Sequence, residues 1–429
     1  MTATTANHFL DTPQIQRKDW KIISLIGAAH ACSHFFQLVF PTLFIALNAE
    51  FGFNYGQLGL LVAIFFVVSG VGQASSGFIV DRIGPTPVLR FGLGSFVLAG
   101  VLIGGANGYW VLVLAAIIGG LGNSVFHPVD YSILNHRVSP RRLGHAFSTH
   151  GFTGNLGWAL TPVFMSALIY LANWRVAALG AAALVAVVLV FVWLGRDLLA
   201  GNNVPHAEAA NAEATPGHES SKKDQSLASK SVLETLSILG RQPALWGAFF
   251  FFALTSIALS AVQNYSIPML GQVYGIDAVL ASTTLSAYML AAALGMIGGG
   301  FLVGTNQRSE FTIAASLVVA GLSLVVLALG WVGTWGAVVV LAVGGFCSGL
   351  STPSRDMLIR RITPKGATGT VYGLVYSGMD VGASLAPVAF GVMLDVGLLR
   401  GPWVGAAVAF VVAAFAALMI GRSVAARTA

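Results

Sequence analysis

The sequence of 429 residues is 56% hydrophobic and only 9% charged. Soluble globular chains carry about 25% charged residues, so this chain lacks the charge needed to cover a surface that faces water. We expect most of its outside to face lipid. The net charge of +6 does not indicate nucleic-acid binding, because the basic residues lie in short loops between apolar runs and form no single patch.

The cysteines give no sign of a disulfide framework or a metal site, and the N-terminal residues give no sign of a cleavable signal peptide. Cys32 and Cys347 both lie inside apolar segments, with no spacing typical of a disulfide framework or a metal site. Residues 1–20 are polar and contain no apolar stretch of the kind that a cleavable signal peptide has.

Twelve apolar segments follow one another along the chain, each close to the roughly 20 residues that a membrane-spanning helix needs. Spans 1 to 6 are predicted at 22–47, 56–80, 86–106, 109–137, 143–171 and 174–195. Spans 7 to 12 are predicted at 243–270, 279–304, 310–330, 335–362, 366–394 and 401–422. Lipid cannot satisfy an open strand edge, so we predict an all-α membrane protein.

The spans predict two six-helix bundles, 22–195 and 243–422, between polar tails at 1–21 and 423–429. Residues 196–242 are polar and low in aromatic residues, which predicts a flexible linker. Its end is predicted to be helical, because Ser231 and Glu234 have the spacing of a capping box.

The distribution of positive charge predicts the orientation. Of 22 Lys and Arg residues, only Arg175 and Arg400 fall in the loops on one side of the predicted membrane. Loops rich in Lys and Arg remain in the cytoplasm. Both termini and the linker are therefore expected to be cytoplasmic, in a multi-pass protein of the inner membrane.

The two halves of the chain are similar to each other. The recurring elements are Gly77-Phe-Ile-Val-Asp81 with Gly300-Phe-Leu-Val-Gly304, Gly119-Gly120 with Gly344-Gly345, Pro128 with Pro353, and Asn155-x-Gly157-x-x-Leu160-x-Pro162 with Asp380-x-Gly382-x-x-Leu385-x-Pro387, at offsets of 223 to 225 residues. A near-constant offset indicates duplication. Six spans per repeat place both copies in the same direction across the membrane, with a substrate site between them near the midplane.

This duplicated arrangement, with Gly77-x-x-x-Asp81-Arg82-x-Gly84 between spans 2 and 3, resembles the major facilitator superfamily over the whole chain. The resemblance implies that Gly77 and Gly84 permit close helix packing. It implies that Asp81, beside Arg82, meets the positive end of a neighbouring helix and stabilises the outward-facing state. It also implies that spans 1, 4, 7 and 10 line a central cavity.

The run Phe126-His127-Pro128 in span 4 resembles that of fosmidomycin-resistance-type exporters. Two features of drug/proton antiporters are absent, because Ala116 stands where a basic residue is often found and Leu160-Thr161-Pro162 stands where Gly-Pro is usual. Export and uptake therefore both remain open.

Polar groups inside the spans are the candidate functional residues, because ionised groups are costly in lipid and usually face a cavity. We expect the substrate and proton cavity to be lined by His30, His34, Gln37, His127, Asp130, His150, Asn155, Gln263, Asn264, Arg355 and Asp380.

His30, His34 and Gln37 lie at i, i+4 and i+7 and therefore share one helix face. They could form a polar stripe that lines the cavity. The two histidines could instead be hydrogen-bonded across a helix interface, or supply two ligands of a zinc site. No third ligand is placed by the sequence, and we predict no metal. His127 and Asp130 form either a proton relay or a structural pair at the Pro128 kink.

Arg355 aligns with Asp130 in the repeat. It is expected to form a gate with Asp130, to attract an anionic substrate, or to pair with Asp356. Asp380 is either a coupling-proton site or buried among helices.

Further alternatives concern residues around the expected cavity. His150 is expected to bond a nearby backbone group, and Asn155 to serve helix packing. Gln263, Asn264 and Tyr265 are expected on the outer side of the cavity. Aromatic residues that could stack on a substrate ring or face lipid are Phe35, Phe36, Trp158, Tyr288, Tyr372 and Tyr376.

No Gly-x-x-x-x-Gly-Lys-[Ser/Thr] sequence is present, so no ATP site or cofactor is expected. The residues above indicate a monomeric secondary transporter that uses the proton gradient to move a small anionic or amphipathic solute. Antiport export is slightly favoured over uptake of an organic-acid or vitamin-like nutrient. A membrane enzyme is a remote alternative, because no dense His or Asp cluster lies in a loop, and a receptor would carry a soluble signalling module.

Overall fold

A computed structural model describes residues 12–200, 242–305, 308–363 and 368–428, and these residues form helices without strands. The helices of the first half are Pro13–Gln37, Val39–Phe51, Tyr55–Ile83, Pro85–Gly104, Tyr109–Asn123, Phe126–Arg137, Leu143–Leu171, Trp174–Leu194 and Arg196–Ala200, with a 3₁₀ turn at Pro140–Arg142. Those of the second half are Pro243–Tyr274, Ala278–Thr305, Ser309–Leu329, Thr334–Ile362, Thr368–Asp395 and Gly401–Thr428.

Twelve segments among the described residues are long and apolar enough to cross a membrane. The predicted fold class is thereby confirmed. The first helix begins at Pro13, earlier than the span boundary expected at residue 22, because Thr12 caps it by accepting from the Ile15 amide. The helix expected at 231–240 lies outside the described residues.

Two spans are broken rather than continuous. Span 1 consists of two helices that meet at Leu38, and span 4 of two helices separated by Ser124 and Val125. Pro41 and Pro128 are each the third residue of the helix after the break. Proline lacks an amide donor and clashes with the preceding turn, so a helix is interrupted just before it. Proline residues inside spans 5, 7, 10 and 11 leave those helices continuous.

The duplication extends to the packing of equivalent glycines. Gly157 of span 5 packs against the Ala31 carbonyl of span 1, and Gly382 of span 11 packs against the Ala253 carbonyl of span 7. A side chain at either glycine would overlap that carbonyl. The Asn155 and Asp380 pattern therefore marks a helix crossing that both halves repeat, as expected for small residues at membrane helix interfaces.

The two halves contact each other through spans 2 and 11 and through spans 5 and 8. We call the end that carries Arg82, Arg142 and Arg361 the basic end, and the other the far end. At the far end, Tyr55 of span 2 touches Gly391 and Asp395 of span 11.

Glycines near the basic end of spans 2, 5 and 8 lie in open space. A Cβ at Gly77, Gly144 or Gly300 would meet no heavy atom within 4 Å. Within the described residues, the halves are joined at the far end, whereas no packing contact is made at these three glycines near the basic end.

Substitution Gly157→Ala is expected to lower the thermal stability of the detergent-solubilised protein, because overpacking a filled interface costs about 1–3 kcal/mol. Gly94→Ala in span 3 is the matched control, since a Cβ there meets nothing within 4 Å. Melting curves read by size-exclusion chromatography measure both. Equal melting temperatures for the two variants would contradict the proposed helix crossing.

Candidate functional site

A carboxylate enclosed by histidines lies inside the first half. The Asp130 side chain is fully buried, and its Oδ2 lies 3.0 Å from His30 Nδ1 and 3.1 Å from His150 Nε2. Spans 1, 4 and 5 each supply one of these residues. The break in span 4 begins a new helix at Phe126, and Asp130 lies in the second turn of that helix.

Two further imidazoles extend this group, which we call the histidine cluster: His30, His34, His127, His150 and Asp130. The His30 ring centroid lies 3.5 Å from that of His150, 4.6 Å from that of His34 and 5.4 Å from that of His127. His127 is exposed whereas His30 and His150 are buried. The cluster therefore connects a buried carboxylate to an imidazole that the rest of the protein leaves uncovered.

The zinc alternative paired His30 with His34. The three imidazoles whose ligand atoms lie within 4.8 Å of one another are instead His30, His127 and His150. Asp130 already receives hydrogen bonds from two of them. His150 was expected to bond a backbone group and that expectation is wrong, because its ring reaches across to span 4.

Two polar atoms of the cluster lack a hydrogen-bond partner among the described residues, namely Asp130 Oδ1 and His34 Nδ1. Buried polar atoms without partners are rare, because each costs the free energy of its lost hydration. Both atoms can take up a proton or bond to a water molecule. The cluster therefore has capacity for a proton beyond those in its present hydrogen bonds.

An amide network continues from the cluster toward the far end. Asn123 Oδ1 accepts from Ser33 Oγ at 2.8 Å and from Gln37 Nε2 at 3.2 Å. Trp158 Nε1 donates to Gln37 Oε1 at 3.0 Å, and its ring centroid lies 4.2 Å from that of His34. Sequence reasoning missed Ser33 and Asn123. Their only signal was the presence of polar residues in spans 1 and 4.

Arg355 in the second half pairs with its neighbour on the same helix. Its Nε donates to Asp356 Oδ1 at 2.9 Å, and its guanidinium lies 4.8 Å from the centroid of the Phe252 ring. Tyr376 of span 11 donates to the same Asp356 oxygen at 3.3 Å. Arg355 is thus held by spans 7, 10 and 11.

The expected gate between Asp130 and Arg355 is not formed in this conformation. Asp130 is enclosed by imidazoles of its own half, whereas Arg355 has a carboxylate one residue away. Of the three readings of Arg355, pairing with Asp356 is the one that the structure contains.

Three expected cavity residues bond locally instead. Asn155 donates to the Gly151 carbonyl at 3.0 Å, and Asn264 donates to the Ser260 carbonyl at 2.8 Å, one turn earlier in each helix. Gln263 is buried, and its Nε2 lies 4.0 Å from Met289 Sδ. Their own helices and neighbours supply hydrogen-bond partners for these side chains, and their place in the cavity stays a prediction.

Asp380 lies where the halves meet. Gly70 of span 2 packs against it, since a Cβ at Gly70 would lie 3.3 Å from Asp380 Cβ. The Asp380 carboxyl group has no hydrogen-bond partner within the described part of the chain. It is therefore only partly buried among helices, and it adjoins the interface that must move if the passage changes shape.

The aromatic candidates separate into two groups. Phe35, Phe36 and Tyr288 are buried in helix packing and neither face lipid nor line the passage. Trp158 belongs to the amide network and Tyr376 to the Arg355 group. Lipid-facing packing is the wrong reading for these five residues. The Tyr372 side chain lies outside the described residues.

The loop between spans 2 and 3 carries the family's sequence motif. Gly84 has φ +83°, a conformation that favours glycine, and its amide donates to the Val80 carbonyl at 2.9 Å. Asp81 and Arg82 are exposed and form no ion pair with any described residue.

Known proteins share both the sequence pattern and the fold. The family model described as Major Facilitator Superfamily matches residues 26–312 and 266–428. Two solved structures are similar at 14% identity each. One, a bacterial homolog of the human lysosomal transporter Spinster, has a TM-score of 0.72 and covers 94% of this chain and 97% of its own. The other, the POT family transporter PepTSo, has a TM-score of 0.71 and covers 94% and 98%.

Curated relatives match nearly the whole chain at low identity. The membrane sensor protein UhpC of Escherichia coli (strain K12) is 24% identical, over 87% of this chain and 85% of its own. The fosmidomycin resistance protein of the same organism is 25% identical, over 86% of each chain. A probable hexose phosphate transport protein of Chlamydia muridarum is 25% identical, over 90% of this chain and 85% of its own. UhpC is named as a sensor, whereas the other two relatives are named as a resistance protein and a transport protein, and both solved structures are transporters. The chain belongs to the Major Facilitator Superfamily.

Proposed function

We propose that this protein is a proton-coupled secondary transporter that moves a small organic anion by alternating access, with export in exchange for protons as the favoured direction. The observation that carries the proposal is the histidine cluster, in which a fully buried carboxylate contacts two imidazoles beside an exposed third. A bundle that spans lipid rarely encloses such groups unless they serve transport.

The histidine cluster supports proton coupling for a chemical reason. Imidazole and carboxylate exchange protons readily near neutral pH, and a proton on Asp130 changes the charge of the whole cluster. His127 is the exposed member of the cluster, whereas His30 belongs to span 1 and His150 to span 5. Loading or releasing a proton therefore changes the charge held between three spans of the first half.

Arg355 supports an anionic substrate. Its guanidinium lies over the Phe252 ring and uses Nε for Asp356. Its two terminal nitrogens remain able to bind a carboxylate or phosphate group in the bidentate manner that arginine favours. Several relatives are named for anions, among them hexose phosphate and L-galactonate.

Direction and orientation rest on different observations. The excess of Lys and Arg at the basic end supports cytoplasmic termini and a passage that opens to the cytoplasm in this conformation. The similarity to the fosmidomycin resistance protein supports export. The similarity to probable hexose phosphate transport proteins supports the alternative, uptake with protons.

Purified protein in proteoliposomes with an imposed pH gradient tests the proposal. Hexose phosphate, galactonate and fosmidomycin are the first solutes to assay, in parallel samples with a metal chelator and with added Zn²⁺. Solute movement against the proton flow indicates export, and movement with it indicates uptake. Transport of an anion that is indifferent to the pH gradient, or that requires added Zn²⁺, would contradict proton coupling at the histidine cluster.

Asp130→Asn is expected to abolish accumulation driven by the pH gradient, at least about tenfold, because the amide cannot take up the coupling proton. Exchange of labelled for unlabelled solute across the same membrane should persist, since exchange needs no net proton movement. Asp197→Asn is the control, because Asp197 is an exposed carboxylate far from the cluster. If Asp130→Asn accumulates solute as the wild type does, the coupling site lies elsewhere.

Arg355→Gln is expected to raise the KM for the anion about tenfold or more, because a charge-assisted hydrogen bond is lost. Arg355→Lys should recover part of this loss, since lysine keeps the charge but not the fork geometry. Arg422→Gln, which removes an exposed arginine from the same half, should leave KM unchanged. Initial rates at varied solute concentration measure all three. An unchanged KM in Arg355→Gln would exclude Arg355 from substrate binding.

A further inference from the structure

The far end of the molecule contains a hydrogen-bonded contact between the halves. Asp395 is the last residue of the span 11 helix, and its carboxylate reaches the first turn of span 2. Its Oδ1 accepts from the Tyr55 amide at 2.8 Å and its Oδ2 from the Gly56 amide at 2.7 Å. Both donors are free amides of a helix N-terminus, where the helix dipole also favours a negative charge.

These two amides have no partner within their own half. The local cap, Asn54, accepts from the Gln57 amide at 2.8 Å, and the Gln57 side chain in turn accepts from the Asn54 amide at 3.0 Å. This capping box satisfies the third residue of the helix and leaves the first two to Asp395. Their hydrogen bonds therefore exist only while the halves are closed together at this end.

Close packing surrounds the contact. Gly391 lies against the Tyr55 carbonyl and Gly59 against the Pro387 carbonyl, so the backbones of spans 2 and 11 touch. Tyr265 of span 7 donates to the Pro387 carbonyl, and its ring centroid lies 6.4 Å from that of Tyr55. Opening the far end must break the contacts of Gly391 and Gly59 and the contact between the Tyr55 and Tyr265 rings, which cross between the halves. The Tyr265 hydrogen bond to Pro387 lies within the second half.

The duplicated position lacks such a contact. The helix of span 8, which corresponds to span 2, is capped within its own half by Asp277, whose Oδ1 accepts from Val279 and Leu280 at 2.9 and 3.0 Å. The residue 225 positions before Asp395 is Tyr170, which is 78% exposed. The contact between the halves at Asp395 is thus specific to one side of the molecule.

We propose that Asp395 is a latch that holds the far end closed, and that it sets the balance between the two conformations of the transport cycle. The latch works by satisfying two helix-terminal amides that are left to water when the halves separate. The inference rests on the alternating-access part of the proposed function and not on the identity of the solute or of the coupling ion.

Electron paramagnetic resonance distances between spin labels test the latch in reconstituted protein. The background carries Cys32→Ala and Cys347→Ala, because these are the two native cysteines. Labels at Gly108→Cys and Gly333→Cys report the far end, since both positions lie in open space on opposite halves. Labels at Gly144→Cys and Gly300→Cys report the basic end in the same way.

Asp395→Asn is expected to increase the population with a long far-end distance about fivefold or more, because two charge-assisted hydrogen bonds are weakened. The basic-end distance should shorten in the same sample. Gly56→Ala should act alike from the other helix, since its Cβ would lie 3.1 Å from Asp395 Oδ2. Asp277→Asn, which removes a helix-capping carboxylate from within one half, should change neither distance.

Three outcomes distinguish a failure of the latch at Asp395 from a failure of the proposed function. If Asp395→Asn and Gly56→Ala both keep the background distances while a transported anion or a change of pH shifts them, the latch is wrong and alternating access stands. If both variants shift the distances but no anion is transported in liposomes, the latch stands and the proposed substrate class fails. If no variant, solute or pH changes either distance, both proposals fail.

Discussion

Lipid offers no hydrogen-bond partners, so every polar group that this chain places between its helices must be satisfied by another polar group or by water in the passage. Asp130 meets this constraint with two imidazoles from two other spans. Arg355 meets it with the next residue of its own helix and with an aromatic ring. The need of each buried polar side chain for a hydrogen-bond partner determines which helices lie beside it, and so determines how the interior is arranged.

The two halves satisfy their buried polar groups in different ways at equivalent positions. Asp130 and Arg355 lie 225 residues apart, the offset at which other elements of the two halves recur. In the first half the position carries a carboxylate among histidines, and in the second half a guanidinium beside a carboxylate. In the proposed function the first half holds the coupling proton and the second half the anion. In this proposal the proton site and the anion site communicate only through the passage that the two halves share.

The sequence was sufficient for the fold and for part of the site. Span length and the recurring glycines predicted twelve helices in two copies, because lipid leaves few alternatives to helices. It also named His30, Asp130 and His150 as candidates from their cost in lipid. It could not bring them together, since helical spacing relates residues within one span and not across spans 1, 4 and 5.

The errors have physical causes of the same kind. His150 was expected to bond a nearby backbone group, but its Nε2 lies 3.1 Å from Asp130 Oδ2 of the neighbouring span. The far-end contact of Asp395 was not predicted, because a carboxylate at a helix end gives no sign of which half it will touch. Local rules indicate that a polar group needs a partner, and only the tertiary structure indicates which partner it has.

The central claim is that proton movement and anion movement share one protein cycle through the histidine cluster. A pH-sensitive dye trapped in proteoliposomes, read together with labelled anion, counts protons and anions in the same vesicles. The account predicts a fixed ratio of protons to anions, opposite in direction for export, that disappears in Asp130→Asn while anion exchange continues. Anion accumulation without any change in internal pH would contradict it.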